Sequence, residues 1–340
     1  MPTIAYHLTP KSAFHFGREG LEQQTSSETF PSDSLFSALI ATYAELHLRE
    51  VTSFIGSFPD TDHEDRQPPW KLSSLFPMVG DLTFLPKPRL RLNSKTEERG
   101  KDLKKISYVS PIVWQQIVSG KLVDNWKEQG LFLQSDKLWL TEQERVSLPF
   151  EWRNLARETL NKCDVWKTDT VPRVTIDRRS NASNIYQTGR TVYADYCGLW
   201  LMAEANQNEQ RLDELMAHLG DRGIGGERSS GYGGFTHHKI TPPNLPVGNS
   251  NRSILLSRYV PTLKELQSDV LGEQSSYELI DVGGWSGTIG SPAHKRKRIR
   301  MIEAGSVMQG EVVGRLVDVS PSSPMPHPIY RSGIALGIRI

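Results

Sequence analysis

The sequence has few of the features that would place it in a membrane, in an oxidising compartment or on a metal ion. It contains two cysteines, Cys163 and Cys197, far apart and outside any spacing typical of a zinc site. No uninterrupted apolar run approaches the ~20 residues of a membrane-spanning helix. The segment MPTIAYHLTPKSAFHFG lacks the basic and apolar regions of a signal peptide. We therefore expect a cytoplasmic protein with no metal site and no cofactor.

An excess of charge of either sign is also missing. The 340 residues carry 40 Lys and Arg against 39 Asp and Glu, so the net charge is +1 and any nucleic acid has to be held by local basic patches. A hydrophobic fraction of 37% and a charged fraction of 23% are ordinary for a folded protein. The length suggests about two domains.

Strand-like and helix-like patterns alternate along the chain and predict an α+β fold. TIAYHL, SAFHFG, TVYADYCGLWLMAEA and FTHHKITP read as strands. Apolar residues from Leu35 to Leu46 have helical spacing, with Ser32 or Asp33 as the candidate N-cap. EQRLDELMAHLG predicts a second amphipathic helix. The proline-rich stretch PPNLPVGNSN is the best domain boundary.

Three segments are predicted to leave the core. PDTDHEDRQPP, residues 59–69, reads as an exposed loop, and FLPKPRLRLNSKTEERGKDLKKISYVSP as a mobile excursion rich in charge and poor in apolar residues. TDTVPRVTIDRRSNASNIYQTGR predicts a β-hairpin with a polar tip. This hairpin carries four arginines: Arg173, Arg178, Arg179 and Arg190.

The stretch GDRGIGGERSSGYGGF, residues 220–235, is the most unusual part of the chain. It fails as a dinucleotide fingerprint, because the sixth position counted from Gly223 is Arg228 and that counted from Gly231 is Thr236. It fails as a P-loop, because Tyr232 follows GERSSG where a lysine is required. A helix also enters this loop and a strand leaves it, so no helix N-terminus faces the glycines.

Two interpretations of the loop remain open. One is a C-capped helix followed by a tight turn, which one or two glycines satisfy. The other is a surface where bare backbone approaches a sugar-phosphate chain, arginines neutralise phosphates and Tyr232 stacks on an unpaired base. Single-stranded RNA fits these parts.

This loop resembles the signature loop of the RAMP superfamily of CRISPR proteins. Further blocks resemble the type III-A (Csm) effector subunit that grips the 5′ end of the guide RNA; they are HFG with PSDSLFSAL, LPKP with KKISYVSP, VPRVTIDR with IY, GGWSG, EAGSV and YRSGIALGIRI. The resemblance implies two ferredoxin-like (RRM-like) domains, residues 1–245 and 250–340. It also implies a protruding β-hairpin thumb at about residues 165–192.

The resemblance further implies a non-catalytic subunit. Such a subunit binds the 5′ handle of the crRNA near the guide–target duplex and bridges the large polymerase-like subunit to a backbone RAMP subunit. The RNA-binding residues expected from the matching motifs and the basic segments are Ser32, Asp33, Ser34, Arg173, Arg178, Arg222, Gly223, Gly225, Gly226, Arg228, Ser229, Ser230, Gly231, Tyr232, Gly233, Lys295, Arg296, Gly305 and Ser306. The alternative function is a metal-independent endoribonuclease that processes precursor crRNA, for which His7 and His15 are candidate acid–base groups.

Several of these residues also have ordinary structural explanations. Asp33 follows Pro31 at a helix start, so capping is favoured over catalysis. KRKRIR, residues 295–300, is either a solvated strand edge or a phosphate-binding strand. His237 and His238 are adjacent in a strand and are expected on opposite faces, so they do not share a metal. Trp285 lies between glycines and is expected to be presented at the surface.

Overall fold

The protein is described by a computed structural model covering residues 2–17, 24–90, 100–121, 125–176, 183–206, 208–246, 248, 250–286, 294–322 and 325–340. The α-helices are α1 (Ser32–Leu46), α2 (Val51–Ile55), α3 (Gly100–Lys105), α4 (Pro111–Val118), α5 (Trp126–Gln129), α6 (Arg157–Asn161), α7 (Glu209–Arg222) and α8 (Leu263–Gln267). Single 3-10 turns occupy Glu142–Ser147, Phe150–Trp152 and Arg228–Ser230.

Short strands dominate the remainder. In the first part of the chain they are β1 (Thr3–Pro10), β2 (Trp70–Leu72), β3 (Phe76–Val79), β4 (Leu82–Thr83), β5 (Leu85–Pro86), β6 (Tyr108–Val109), β7 (Leu131–Leu133), β8 (Leu138–Leu140), β9 (Trp166–Ile176), β10 (Ser183–Tyr193), β11 (Cys197–Ala205) and β12 (Phe235–Ile240). The later strands are β13 (Arg252–Leu255), β14 (Leu279–Val282), β15 (Trp285–Ser286), β16 (His294–Lys295), β17 (Ile299–Ile302), β18 (Val307–Gln309), β19 (Leu316–Asp318), β20 (Tyr330–Ser332) and β21 (Gly337–Arg339).

An antiparallel sheet forms the centre of the N-terminal part. Its strands lie in the order β12-β1-β11-β3-β4, and β2 also pairs with β11. Helix α1 follows β1, and α7 connects β11 to β12; the two helices contact each other. Both predicted amphipathic helices and the strands at TIAYHL and FTHHKITP are confirmed, because their apolar residues are buried against this sheet.

The start of α1 differs from the prediction. Pro31 is the N-cap residue, and no side chain caps the helix. Ser32 accepts a hydrogen bond from the Arg258 amide at 2.9 Å, and the fully buried carboxylate of Asp33 pairs with Arg258 and Arg331. The capping role predicted for Ser32 or Asp33 is therefore wrong, because both side chains bind the C-terminal part of the chain instead.

The segment predicted to be a mobile excursion is partly built into the fold. Residues 91–99, including Arg91, lie outside the described residues, but Leu85 and Val109 on either side are fully buried. They belong to a four-stranded sheet of order β5-β6-β8-β7, which buries the indoles of Trp114, Trp126 and Trp139. The excursion was mispredicted because the few apolar residues among the charges are those that pair in this sheet.

Strands β9 and β10 form a separate two-stranded ribbon, paired from Trp166 with Tyr193 to Ile176 with Ser183. Residues 177–182, which include the predicted tip arginines Arg178 and Arg179, lie outside the described residues.

The C-terminal part contains a three-stranded sheet of order β18-β13-β21 and three two-stranded ribbons. Its side chains Ile254, Leu256 and Leu336 belong to the same hydrophobic cluster as the central sheet. Residues on both sides of the proline-rich stretch thus share one core. No helix within the described ranges is long and apolar enough to cross a membrane.

Candidate nucleic-acid interface

The glycine-rich loop connects α7 to β12 and folds back on itself. The Ile224 amide donates to the Gly233 carbonyl at 3.0 Å. Gly233 has a φ of +87°, and a Cβ there would lie 2.2 Å from the Ile224 carbonyl oxygen. No other residue type fits this position without moving the backbone. At Gly233, the absence of a side chain is therefore explained by packing within the loop.

The segment that follows β1 supports the glycine-rich loop through hydrogen bonds. The Gly226 amide donates to the His15 carbonyl at 2.8 Å, and the Gly233 amide donates to the Ala13 carbonyl at 2.9 Å. The Nδ1 of His15 lies 2.6 Å from the carbonyl of Gly189 in β10. Because a carbonyl only accepts, this nitrogen carries the proton. His15 thus ties the loop to the β9–β10 ribbon.

An aromatic contact also joins the loop to the ribbon. The guanidinium carbon of Arg173 lies over the Tyr232 ring, 5.0 Å from its centroid. Arg190 lies in the same strand, β10, two residues after Thr188. Its guanidinium group forms two hydrogen bonds to the carboxylate of Asp169, with N–O distances of 2.7 and 3.0 Å. The hydrogen bond to Asp169 raises the pKa of Arg190, with smaller contributions from Tyr232. Two sites that are separate in the sequence therefore form one surface.

The exposed tip of the loop carries the groups suited to phosphate. Arg228, Ser229 and Ser230 are exposed on a 3-10 turn. Within the described residues Arg228 has no ion-pair partner, whereas Arg222 pairs with Glu45. A shallow depression beside them is lined by Arg222, Gly225, Gly226, Glu227, Arg228 and Ser229. Arg228 is the cation of this depression that remains available for an anionic ligand.

The predicted residues at the start of α1 do not join this surface. Ser32 is 4% exposed and Asp33 0% exposed, while Ser34 is half-buried. Burial lowers the pKa of Arg258, but the carboxylates of Asp33 and Glu303 outweigh it and raise that pKa overall. Asp33 is held between two guanidinium groups, so its carboxylate joins the two parts of the chain.

The C-terminal basic segment and its glycine motif are oriented differently. Lys295 is exposed and pairs across the strands with Trp285, whose side chain is 65% exposed, as predicted. Arg296 is half-buried, and its amide donates to the Gly284 carbonyl at 2.9 Å. Gly305 and Ser306 are buried: the Gly305 carbonyl accepts from the Arg89 amide and Ser306 Oγ from the Glu278 amide.

The histidines of the central sheet do not form a metal site. As predicted, His237 and His238 face opposite sides: His237 lies 5.8 Å from the Tyr6 ring, and His238 lies 4.9 Å from the His7 ring. Burial and the neighbouring His238 lower the pKa of His7 to about 4. The described part of the chain holds no group of three or more metal-ligating side chains.

Sequence reasoning missed two contributors to the surface, His15 as a support of the loop and Asp169 as the partner of Arg190. For Asp169, the only signal that could have revealed the pairing was the strand register, since Asp169 lies opposite Arg190 across β9 and β10. That register cannot be read before the tip of the hairpin is known.

A glycine-rich loop between α7 and β12, seated on an antiparallel α+β sheet, agrees with the arrangement expected from the resemblance to RAMP proteins. The family model described as "CRISPR Csm4 C-terminal domain" matches residues 248–340. Relatives called "CRISPR system Cms protein Csm4" match nearly the whole chain. The one from Methanocaldococcus jannaschii is 22% identical over 93% of this chain and 88% of its own length. The one from Streptococcus thermophilus is 24% identical over 95% and 94%. The C-terminal part thus matches the Csm4 family model, and the chain as a whole is similar to Csm4 proteins.

Solved structures share the fold. A crystal structure of a Csm3–Csm4 subcomplex of the type III-A CRISPR-Cas interference complex aligns with a TM-score of 0.69, at 18% identity, over 99% of both chains. A Csm1–Csm4 cassette in complex with AMPPNP aligns with a TM-score of 0.54, at 15% identity, over 100% of this chain and 98% of the other.

Proposed function

We propose that this chain is a non-catalytic RNA-binding subunit of a type III-A CRISPR effector complex. In this role it holds the 5′ handle of the crRNA and joins the large polymerase-like subunit to a backbone subunit. The observation that carries the proposal is the single surface formed by Arg228, Tyr232 and Arg173. The bridging role is supported by the family relatives, whose solved structures pair Csm4 with Csm3 and with Csm1.

In the proposed binding mode, the glycine-rich loop and the β9–β10 ribbon contact different parts of the RNA. Arg228 and the hydroxyls of Ser229 and Ser230 contact phosphates, because they are exposed at the tip of the loop. Arg173 covers one face of the Tyr232 ring, and a base stacks on the face that Arg173 leaves open. The β9–β10 ribbon is the thumb, at about residues 165–192. It projects beside the handle toward the guide–target duplex.

We also propose the finer fold assignment that this role implies. The order β12-β1-β11-β3, with α1 after β1 and α7 after β11, matches a ferredoxin-like arrangement for residues 1–245. Residues 250–340 form the second domain and add a smaller contact through Lys295 and Arg296. Asp33, Gly305 and Ser306 contribute by positioning these surfaces rather than by touching RNA, since they are buried.

The test is UV crosslinking of the protein to a labelled crRNA that carries its 5′ handle, with mass-spectrometric mapping. We expect adducts on the peptide spanning residues 220–235 and weaker ones on residues 295–306. Adducts confined to other surfaces would refute the proposal. Incubating the purified protein with precursor repeat RNA tests the ribonuclease alternative, for which His15 is the remaining candidate because it contacts the loop. Specific metal-independent cleavage that His15→Ala abolishes would establish that alternative.

A further inference from the structure

Three of the most exposed large apolar side chains belong to segments that meet at one turn outside the proposed RNA interface. Among the described residues the four most exposed are Phe150 at 76%, Leu48 at 73%, Val146 at 70% and Tyr196 at 69%. The segments that carry Val146, Phe150 and Tyr196 meet at a single turn at Gly80. Scattered exposed apolar residues are normal, but a cluster of them marks an interaction site.

Gly80 builds this cluster by bringing two distant segments together. Its amide donates to the Tyr196 carbonyl at 2.8 Å, and the next amide, that of Asp81, donates to the Ser147 carbonyl at 2.9 Å. Gly80 has a φ of +57°, and a Cβ there would lie 2.5 Å from the Ser147 carbonyl oxygen. The segment from Val146 to Phe150 thus packs against the turn only because position 80 has no side chain.

Tyr196 has a backbone conformation that costs energy. Its φ is +60°, in the left-handed region that aromatic residues rarely adopt and that glycine adopts freely. Its side chain is 69% exposed, so burial in this chain does not compensate for the strain. A tyrosine kept under strain at an exposed turn indicates that its ring is used by another molecule.

The charged residues next to this surface indicate which kind of molecule binds to it. Asp81, Glu151 and Asp195 are all exposed: Asp81 follows Gly80, Glu151 follows Phe150, and Asp195 precedes Tyr196. None of the three has an ion pair within the described residues. The two arginines of the neighbouring segment are turned inward: Arg145 donates to the Arg153 and Leu155 carbonyls, and Arg153 donates to the Leu148 carbonyl. An apolar surface with acidic neighbours repels RNA and favours a basic protein.

The position of this surface further restricts which protein can bind there. Val79 pairs with Cys197 at one end of the central sheet. At the same end, Pro10 pairs with Phe235, the last residue of the glycine-rich stretch and the first of β12. Strands β12 and β3 are three spacings apart, or about 14 Å. A protein seated on Tyr196 and Phe150 therefore lies beside the RNA interface, within reach of the same RNA.

We propose that Val146, Phe150 and Tyr196 form a docking surface for the adjacent RNA-binding backbone subunit of the complex. That subunit packs apolar side chains against the exposed rings of Phe150 and Tyr196, and its basic surface faces Asp81, Glu151 and Asp195. This inference rests on the proposed function, because it identifies where the neighbour along the RNA binds.

The test measures the dissociation constant between the full chain and the purified, RNA-free backbone subunit from the same source. Tyr196→Gly removes the ring and relieves the backbone strain, so the melting temperature should not fall. We expect this variant and Phe150→Ser to bind the backbone subunit about tenfold or more weakly, since central aromatic residues dominate interface energies. Leu48→Ser is the matched control, because Leu48 is equally exposed on another surface.

Each other outcome overturns the docking proposal. Unchanged affinity in both aromatic variants removes the surface from the interface. Weaker binding to the 5′-handle RNA by the isolated Tyr196→Gly chain assigns the surface to RNA. A dimer of the wild-type chain that Tyr196→Gly dissociates assigns it to a second copy. The proposed RNA-binding function is tested by a separate result: it is refuted if the wild-type chain does not bind the handle RNA at all.

Discussion

The guanidinium group of Arg173 lies over the ring of Tyr232, with its central carbon 5.0 Å from the ring centroid. The two residues are far apart in the sequence and belong to different elements, the β9–β10 ribbon and the glycine-rich loop. Their contact orients the tyrosine and holds the ribbon against the loop. An arginine over an aromatic ring contributes about 0.5–2 kcal/mol, depending on how well water is excluded.

Changing Tyr232 to Ala should weaken binding of the 5′-handle RNA by about 1–3 kcal/mol, because the mutation removes a stacking platform. Fluorescence anisotropy, corrected for the folded fraction, measures this. Arg173→Ala should weaken binding less while lowering the free energy of unfolding. If Tyr232→Ala lowers the melting temperature but leaves the affinity of the folded protein unchanged, Tyr232 serves packing alone.

Changing Arg228 to Ala should weaken RNA binding to a similar extent for all handle sequences. The slope of log K against log salt concentration should become shallower by about one, because one phosphate contact is lost. Titrations at several salt concentrations measure the slope. Arg49→Ala is the control, since Arg49 is also exposed but belongs to neither the glycine-rich loop nor the β9–β10 ribbon. An equal slope in the Arg228 variant and the wild type would exclude Arg228 from the phosphate contacts.

Changing Asp33 to Ala should lower the free energy of unfolding by about 3–5 kcal/mol, because Arg331 and Arg258 lose their buried partner. Urea denaturation measures this. Asp65→Ala is the matched control: Asp65 pairs with Lys264 at the surface, where removing an ion pair costs about 1 kcal/mol or less. Equal losses in the two variants would contradict the role of Asp33 as a buried junction.

Stability should fall as the pH is lowered from 7 to 4, in part because of His7. Its folded pKa of about 4 lies below the ordinary value of 6.5, so below pH 6.5 the unfolded chain binds a proton that the folded chain does not. His7 is half-buried, so solvent screens part of the effect and we expect a loss of about 1–2 kcal/mol. Denaturation of His7→Gln at pH 7 and 4 should show a smaller loss, and the exposed His218→Gln should behave as wild type. An unchanged pH dependence in His7→Gln would exclude His7.

The elements that follow from local pattern were predictable. Apolar spacing gave the positions of α1 and α7, and alternation gave β1 and β12, because a helix or strand buries one face whatever lies opposite. The small sheet around Trp114 and Trp139 was not predictable, because its strands have only two or three residues each. So short a strand carries no readable period.

The sequence by itself determined the α+β class, the two amphipathic helices and the chemical character of the glycine-rich loop, since each depends on residues close together along the chain. Only the tertiary structure decided that the loop meets the ribbon at Arg173 and Tyr232, and that Asp33 joins the two halves instead of capping a helix. The same holds for the meeting of Phe150 and Tyr196 at Gly80. These contacts depend on strand register and on close approach of distant backbone, which no local pattern encodes.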